Sequence, residues 1–192
     1  MSDKQGHKHH GKSSKDVLSA ETVLEKTGLK VGDTFLDAGC GDGYISIVAS
    51  SIVGKEGKVH ALDVYEESID KVKKQVQDKG ITNIEAKVAD LTQKLPLKDN
   101  SIDVGVMANV MHGFVAEDEV EEVMNEIRRV IKPEGIFALV EFKKIESVRG
   151  PPFEVRISPS DVESILNQYG FEVLETADVS PYHYLVSSIK KD

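Results

Sequence analysis

The pattern of apolar and polar residues changes repeatedly along this chain, between short apolar runs and stretches with helical spacing. Short apolar runs typical of buried strands lie at 34–38, 58–63, 83–88, 102–108 and 136–142. Stretches with apolar side chains every three or four residues, which are typical of helices, lie at 16–27, 44–53, 66–79 and 117–132. This alternation predicts parallel strands joined by helices, and therefore an α/β sheet with helices on both faces.

Strong end signals mark two of these helices. The helix over 117–132 is predicted to begin with Glu117, Asp118 and Glu119 in its first turn and to end before Pro133. The segment 158–161, Ser-Pro-Ser-Asp, has the sequence of a helix cap with proline at the first helical position, so a last helix is predicted to follow it. Strands predicted at 171–176 and 182–189 are so close in sequence that an antiparallel pair completes the sheet.

The first fifteen residues differ from the rest of the chain. Residues 1–15 are rich in Lys, His, Gly and Ser and lack apolar periodicity, so we expect a flexible tail before a single domain over 16–192. Imidazoles such as those of His7, His9 and His10 can bind a transition metal. Lys8 lies among them, however, and favours a plain tail, so we assign no metal site.

Charge and cysteine content argue against several classes of function. The formal net charge of -9 comes from 33 acidic and 24 basic residues without a long basic run, which argues against a nucleic-acid partner. Cys40 is the only cysteine, which excludes an internal disulfide and fits a reducing compartment. The apolar runs are too short to span a membrane. We therefore expect a soluble cytoplasmic protein, either a monomer or a homodimer.

A glycine-rich segment follows the first predicted strand. Asp37-Ala38-Gly39-Cys40-Gly41-Asp42-Gly43 carries glycine at alternate positions just before a predicted helix. Glycine allows both a tight turn and the close approach of a ligand to the backbone. In a doubly wound sheet, ligands bind beyond the C-terminal ends of the strands, where the strand order reverses. The segment is therefore a candidate nucleotide-binding loop, although an ordinary strand-to-helix turn can have the same composition.

Polar side chains also follow the next three predicted strands. Asp63 ends the second strand, where a carboxylate can accept hydrogen bonds from both hydroxyl groups of a ribose. Asp90 follows the third strand beside Leu91, and its carboxylate can accept from the amino group of adenine. Asn109 and His112 follow the fourth strand. Each carboxylate alone is explained equally well as a cap of the next turn, but four polar strand ends at one edge favour a ligand site.

The charge of the loop indicates which nucleoside it binds. A pyrophosphate favours a helix N-terminus without nearby anions, whereas this loop carries Asp37 and Asp42. S-adenosylmethionine presents a sulfonium and an ammonium as well as a carboxylate, so acidic side chains and backbone amides can both bind it. A nicotinamide-dependent oxidoreductase is one alternative, but none of the five tyrosines is followed four residues later by lysine. A non-catalytic protein that binds S-adenosylmethionine is the other.

Five segments of the chain, at 35–43, 61–64, 89–90, 95–103 and 128–135, carry a resemblance to a known family. Together they resemble the class I S-adenosylmethionine-dependent methyltransferases, in particular the type 11 or ubiquinone/menaquinone-biosynthesis-like group. The resemblance implies a single-domain, Rossmann-like doubly wound sheet of seven strands. The implied strand order is 3-2-1-4-5-7-6, with strand 7 antiparallel.

The resemblance also implies a cofactor site for S-adenosylmethionine. Gly39 and Gly41 would lie against the methionine part, Asp63 would hold the ribose, and Asp90 with Leu91 would frame the adenine. The remaining implied residues are Asp37, Cys40, Val64 and Asn109, the last beside the methionine end of the cofactor. Cys40 is most simply a small side chain that fits the loop, and a nucleophilic thiol is the alternative.

The chemistry of methyl transfer requires few catalytic residues, because the leaving thioether needs no acid and alignment provides most of the catalysis. If the acceptor is a hydroxyl or an acidic carbon, His112 is the candidate base, since it follows the fourth strand and imidazole titrates near neutral pH. A capping or packing histidine is the alternative. Basic residues near the fifth strand are either the lining of a lid over an anionic acceptor or ordinary surface residues: Lys143, Lys144, Arg149 and Arg156. We expect a small-molecule acceptor.

Overall fold

The computed structural model describes residue 15 and residues 17–192. Of the tail predicted over 1–15, only Lys15 belongs to the described residues. His7, His9 and His10, to which we assign no metal, lie outside them. Seven strands are found, at Thr34–Ala38 (β1), Lys58–Asp63 (β2), Ile84–Val88 (β3), Ile102–Ala108 (β4), Ile131–Phe142 (β5), Phe171–Asp178 (β6) and His183–Lys190 (β7). The α-helices are Ala20–Thr27 (α1), Tyr44–Val53 (α2), Glu66–Asp78 (α3), Met111–Ala116 (α4), Val120–Val130 (α5) and Pro159–Gln168 (α6).

All seven strands form one sheet in the order β3-β2-β1-β4-β5-β7-β6, as the resemblance implied. The first five strands pair in parallel, and β7 pairs antiparallel with both β5 and β6. The order reverses between β1 and β4, which lie side by side although β2 and β3 come between them in sequence. The C-terminal ends of β1 and β4 therefore form the crevice in which this class of sheet binds ligands.

Alternate residues of the strands fill hydrophobic cores on the two faces of the sheet, as the period of two along a strand requires. In β1, Phe35 packs in the core that includes residues of α1 and α2. The next residue, Leu36, packs in the opposite core with residues of α5 and α6. Both side chains are fully buried, so β1 is held from both sides and ends in a rigid position.

The helix predicted over 117–132 is present as α5 but is shorter, at Val120–Val130, and the short helix α4 before it was not predicted. Residues 117–119 form a break between these two helices. Asp118 in the break has a φ of 59°, a left-handed conformation that interrupts a right-handed helix. The acidic run from Glu117 to Glu119 therefore connects two helices and does not form the first turn of one, because its acidic residues suit a turn as well as a helix start.

The start of β5 also differs from the prediction. The strand begins at Ile131 and not at 136, so Pro133 and Gly135 lie inside its range and do not follow a helix. Ile131 pairs with Ile102 and Ile136 pairs with Val104, so the four residues 132–135 bulge out of the ladder. Proline lacks a ladder donor and is tolerated at such a bulge.

The remaining helix ends follow the expected capping chemistry. Helix α1 begins at Ala20, later than predicted, because the Ser19 side chain accepts a hydrogen bond from the Thr22 N–H and caps the helix. Helix α6 begins with the predicted capping box, in which Ser158 and Asp161 bond reciprocally. Within residues 17–192, no helix is long and apolar enough to cross a membrane.

Candidate active site

The glycine-rich loop leaves β1 and turns sharply over the end of β2. The N–H groups of Gly39 and Cys40 both donate to the carbonyl of Leu62, at 2.8 and 2.9 Å. A Cβ atom on Gly39 would lie 2.6 Å from a methyl group of Val110, so the loop rests directly on the segment after β4. At Gly41, where φ is 54°, a Cβ atom would meet no other atom within 4 Å. The backbone of the loop therefore faces open space at Gly41.

Asp63 connects the end of β2 to this loop. Its side chain is buried, and its Oδ2 accepts a hydrogen bond from the Gly41 N–H at 2.8 Å. Its Oδ1 accepts from the Tyr65 N–H at 2.9 Å, which is the capping role given above as an alternative. Each carboxylate oxygen has a second lone pair, so capping and ribose binding are compatible at Asp63. Val64 beside it is 52% exposed and offers an apolar surface.

Asp37 is a buried acid at the base of the loop. Ser46 Oγ donates to its Oδ2 at 2.6 Å. Burial is the main cause that raises the pKa of Asp37 to about 7. The Ser46 hydrogen bond opposes this rise, and the nearby carboxylates of Asp63 and Asp42 contribute to it. Three carboxyl groups around one loop repel an anion and favour a cation. The arrangement disfavours a pyrophosphate, which agrees with the argument from sequence.

The Asp37→Asn variant is expected to lose part of the pH dependence of folding stability. The native pKa of Asp37, about 7, lies above its usual value of 3.8, so the native state binds this proton more tightly than the unfolded chain. The resulting stabilisation is complete below about pH 4 and is lost as the pH rises towards 7. Urea unfolding of both proteins at several pH values measures the difference, with exposed Asp78→Asn as control. Identical pH profiles for Asp37→Asn and wild type would contradict the assignment.

The residues after β3 have unequal positions. Asp90 is exposed, and its Oδ1 accepts from both the N–H and the hydroxyl of Thr92, so it caps the turn that follows β3. Leu91 next to it is buried, with 5% of its surface exposed. Asp90 therefore caps this turn through Oδ1, and its second carboxylate oxygen, Oδ2, can accept a hydrogen bond from a ligand.

Asn109, after β4, carries an unusual polar atom. Its φ is 61°, and its N–H donates to the carbonyl of Val140 at 2.8 Å. Its side-chain Oδ1 is buried and has no hydrogen-bond partner within the described part of the chain. A buried acceptor of this kind is costly unless a donor reaches it. Asn109 is therefore suited to accept a hydrogen bond from a bound ligand such as an ammonium group.

The thiol of Cys40 is inert. The side chain is buried, with 7% of its surface exposed, and burial raises the pKa of the thiol far above its usual range. A protonated thiol is a poor nucleophile. This burial supports the simpler of the two interpretations of Cys40, a small side chain that fits the loop.

His112 has a partner that the sequence did not identify. The residue lies in the first turn of α4, and its Nδ1 is 2.7 Å from Oε2 of Glu141 on β5. The second oxygen of the same carboxylate accepts from the His112 N–H at 3.2 Å. Glu141 is the one acidic residue in the apolar run 136–142, and that exception was the available signal.

A cavity of about 490 Å³ opens next to His112. Its walls come from α4, the segment 154–157 and α6. Apolar side chains, among them Val115 and Ile165, line much of it, and Lys144 contributes a charge. This volume and lining are typical of a small-molecule site.

The basic residues near β5, for which the sequence left open a lid or ordinary surface residues, mostly bind other groups of the protein. Arg156 is 3% exposed and is turned into its own loop, where it donates to Ser147 Oγ and to the backbone carbonyls of Lys143, Ile145, Arg149 and Pro151. The ammonium of Lys143 pairs with Asp178 at 2.7 Å. The guanidinium of Arg149 lies 5.7 Å from the centre of the Tyr182 ring. Of the four basic residues, Lys144 and the buried Arg156 line the cavity.

Comparisons with known proteins identify the family of this chain. A family model described as a methyltransferase domain matches residues 29–169. A SAM-dependent methyltransferase from Aquifex aeolicus has a crystal structure with a TM-score of 0.84 and 34% sequence identity, with 92% of each chain covered. This chain belongs to the S-adenosylmethionine-dependent methyltransferases. The methyltransferase fold, the seven-stranded order and the S-adenosylmethionine cofactor expected from the resemblance are thereby confirmed at the level of the family.

Curated methyltransferases also match this chain, but the match covers a smaller share of their length than it does for the Aquifex aeolicus protein. The ubiquinone/menaquinone biosynthesis C-methyltransferase UbiE of Shewanella sp. (strain W3-18-1) is 28% identical over 174 residues, which are 88% of this chain. The chain spans 63% of the length of that relative. A 2-phytyl-1,4-naphtoquinone methyltransferase of Trichormus variabilis is 28% identical over 165 residues, 84% of this chain and 69% of its own.

Proposed function

We propose that this methyltransferase transfers a methyl group from S-adenosylmethionine to a small-molecule acceptor. The observation that carries the proposal is the acidic glycine-rich loop, with Asp63 bonded to Gly41 and the orphaned Oδ1 of Asn109 at the neighbouring strand end. These groups match a ligand that has a ribose, an ammonium and a sulfonium. The nucleotide-binding alternative with a pyrophosphate does not fit three nearby carboxyl groups.

Each part of the cofactor has suitable residues in the crevice. Asp63 would accept hydrogen bonds from the ribose hydroxyls, and Val64 with Leu91 would offer apolar surface to the adenine. Asp90 would accept from the adenine amino group through its remaining lone pairs. Asp37, Gly39, Cys40 and Gly41 would surround the methionine part, with Asn109 accepting from its ammonium. When bound, S-adenosylmethionine supplies a methyl group on a positively charged sulfur.

A small molecule is the proposed acceptor because the cavity beside His112 has a volume of about 490 Å³. That volume lies within the usual range for sites that bind small molecules, such as a substituted aromatic ring. The printed names of the curated relatives describe methylation in quinone biosynthesis, which is consistent with an acceptor that has an apolar body. The protein would align the acceptor and keep water away, which can contribute about 7–11 kcal/mol to catalysis.

Calorimetric titration tests the cofactor. We expect S-adenosylmethionine and S-adenosylhomocysteine to bind and NADH not to bind, because the carboxyl groups of the loop repel a pyrophosphate. A screen with radiolabelled methyl groups then tests transfer to small molecules, and it separates an enzyme from a non-catalytic binding protein. Binding of NADH alone would refute the proposal.

The location that we propose is the cytoplasm. The single cysteine, Cys40, is free and only 7% exposed, which fits a reducing compartment, and fractionation of cells would check this location.

A further inference from the structure

A buried carboxylate on β5 makes two contacts with one histidine. Glu141 is 1% exposed, and its two oxygens approach the ring and the backbone of His112 at 2.7 and 3.2 Å. Burying a carboxylate is costly unless it is well hydrogen-bonded. The two bonds fix both the position of the first turn of α4 and the orientation of the imidazole ring.

The contact also determines which ring nitrogen is free. A carboxylate accepts hydrogen bonds, so Nδ1 of His112 carries the hydrogen that points to Glu141. In the neutral ring, Nε2 then has the lone pair. His112 lines the 490 Å³ cavity, so the ring edge that carries Nε2 is the edge available to a molecule bound there. Val110, which contacts Gly39 of the glycine-rich loop, lies two residues before His112 in the chain.

Other charged groups near the cavity are engaged elsewhere or exposed. The Arg156 guanidinium is bonded to backbone carbonyls of its loop, and Asp161 caps α6 through Ser158. Lys144 and Glu154 line the cavity from its exposed side. Tyr184, which pairs with Glu141 across the sheet, donates its hydroxyl to the carbonyl of Ile157. The contact of Glu141 with His112 therefore links β5 to a residue that lines the cavity.

We propose that Glu141 is a positioning residue that holds His112 as the general base, and that the acceptor carries a weakly acidic O–H or C–H group. The inference rests on the proposed methyl transfer. As the acceptor oxygen or carbon bonds to the methyl carbon, the methyl–sulfur bond breaks and its electron pair goes to sulfur. The acceptor proton moves to Nε2, and Glu141 stabilises the imidazolium that forms. The proton leaves to solvent after product release.

The test compares two acceptors that differ in acidity. A labelled-methyl screen of phenols, β-dicarbonyl compounds, amines and thiols first identifies an O–H or C–H acceptor. Kinetics are then measured with a weakly acidic phenol and with its nitro-substituted analogue, which is already ionised at the assay pH. His112→Asn retains an amide donor towards Glu141 but has no basic nitrogen. Glu141→Gln retains the size of the side chain but loses its charge.

We expect kcat with the weakly acidic phenol to fall about 100-fold in His112→Asn and about tenfold or more in Glu141→Gln, within the usual range for general bases. With the ionised analogue both losses should nearly disappear, because no proton has to be removed. KM and the affinity for S-adenosylmethionine should change little. Exposed Glu146→Gln, the same substitution outside the cavity, should behave as wild type.

Equal losses with both phenols would overturn the proposal, because they would indicate a structural role for the pair. Unchanged kcat in both variants would also overturn it. The proposal is also overturned if this protein binds S-adenosylmethionine but methylates only amines or thiols. It is likewise overturned if no compound with an O–H or C–H acceptor group is methylated. These results leave the cofactor assignment intact, whereas failure to bind S-adenosylmethionine in the calorimeter refutes the proposed function itself.

Discussion

Asp63→Ala should weaken the binding of S-adenosylmethionine about 100-fold, because a hydrogen bond to a charged acceptor contributes about 1.5–3 kcal/mol and two ribose hydroxyls would lose theirs. The variant would also release the Gly41 N–H, which donates to Asp63 at 2.8 Å and shapes the loop under the cofactor. Titration calorimetry of the purified protein measures the change. The affinity of Asp63→Asn for S-adenosylmethionine should lie between those of the wild type and Asp63→Ala, because the amide oxygen still accepts one hydrogen bond.

Matched controls separate binding from folding in this experiment. Asp78→Ala removes an exposed carboxylate at the end of α3 and should bind as wild type does. Far-ultraviolet circular dichroism and thermal unfolding show whether Asp63→Ala retains the fold, as expected for a residue at a strand end. A folded Asp63→Ala protein with unchanged affinity would show that Asp63 is only a cap and would place the ribose elsewhere.

Arg156→Met should lower the free energy of unfolding by about 3 kcal/mol, since four buried or part-buried carbonyls would each lose a charged donor. The guanidinium bonds to four carbonyls of the segment 143–151, and it lies 5.6 Å from the centre of the Phe142 ring. Methionine keeps the aliphatic packing but cannot donate. Arg156→Lys should be nearly as damaging, because one ammonium cannot reproduce the planar array of donors.

Urea unfolding measures this loss of stability. Arg149→Met is the matched control, because its side chain is exposed and contacts the Tyr182 ring without organising the loop, so we expect a change of less than about 0.5 kcal/mol. If Arg156→Met were as stable as Arg149→Met, the stability of the loop would not depend on the hydrogen bonds of the Arg156 guanidinium. The segment 143–151 would then be held by its other contacts, such as the Lys143–Asp178 ion pair and packing against Phe142.

The succession of strands and helices could be predicted because each element is long enough to show its period. Strands such as Thr34–Ala38 and helices such as Tyr44–Val53 have the predicted bounds. The short helix α4 was not predicted, since its six residues are too few to show a helical period. Similarly, the bulge at 132–135 depends on pairing with β4, which is distant in sequence.

The candidate site shows the same division between local and tertiary information. Gly39, Asp63, Asp90 and Asn109 could be grouped from sequence because parallel strands bring their C-terminal ends to one edge. The partner of His112 could not be found this way, because Glu141 meets it across 29 residues through the docking of α4 on β5. The role of Arg156 was misjudged because a sequence does not show whether a cation faces solvent or the carbonyls of its own loop.

The position of Glu141 within β5 has a consequence for how this protein can change during evolution. The strand lies in the interior of the sheet, paired on one side with β4 and on the other with β7. The walls of the adjacent cavity come from α4, the segment 154–157 and α6, which lie outside the sheet. Substitutions of wall residues other than His112 could therefore alter which acceptor fits while His112 and Glu141 stay in place. New substrate preferences could then arise without rebuilding the proposed base and its carboxylate.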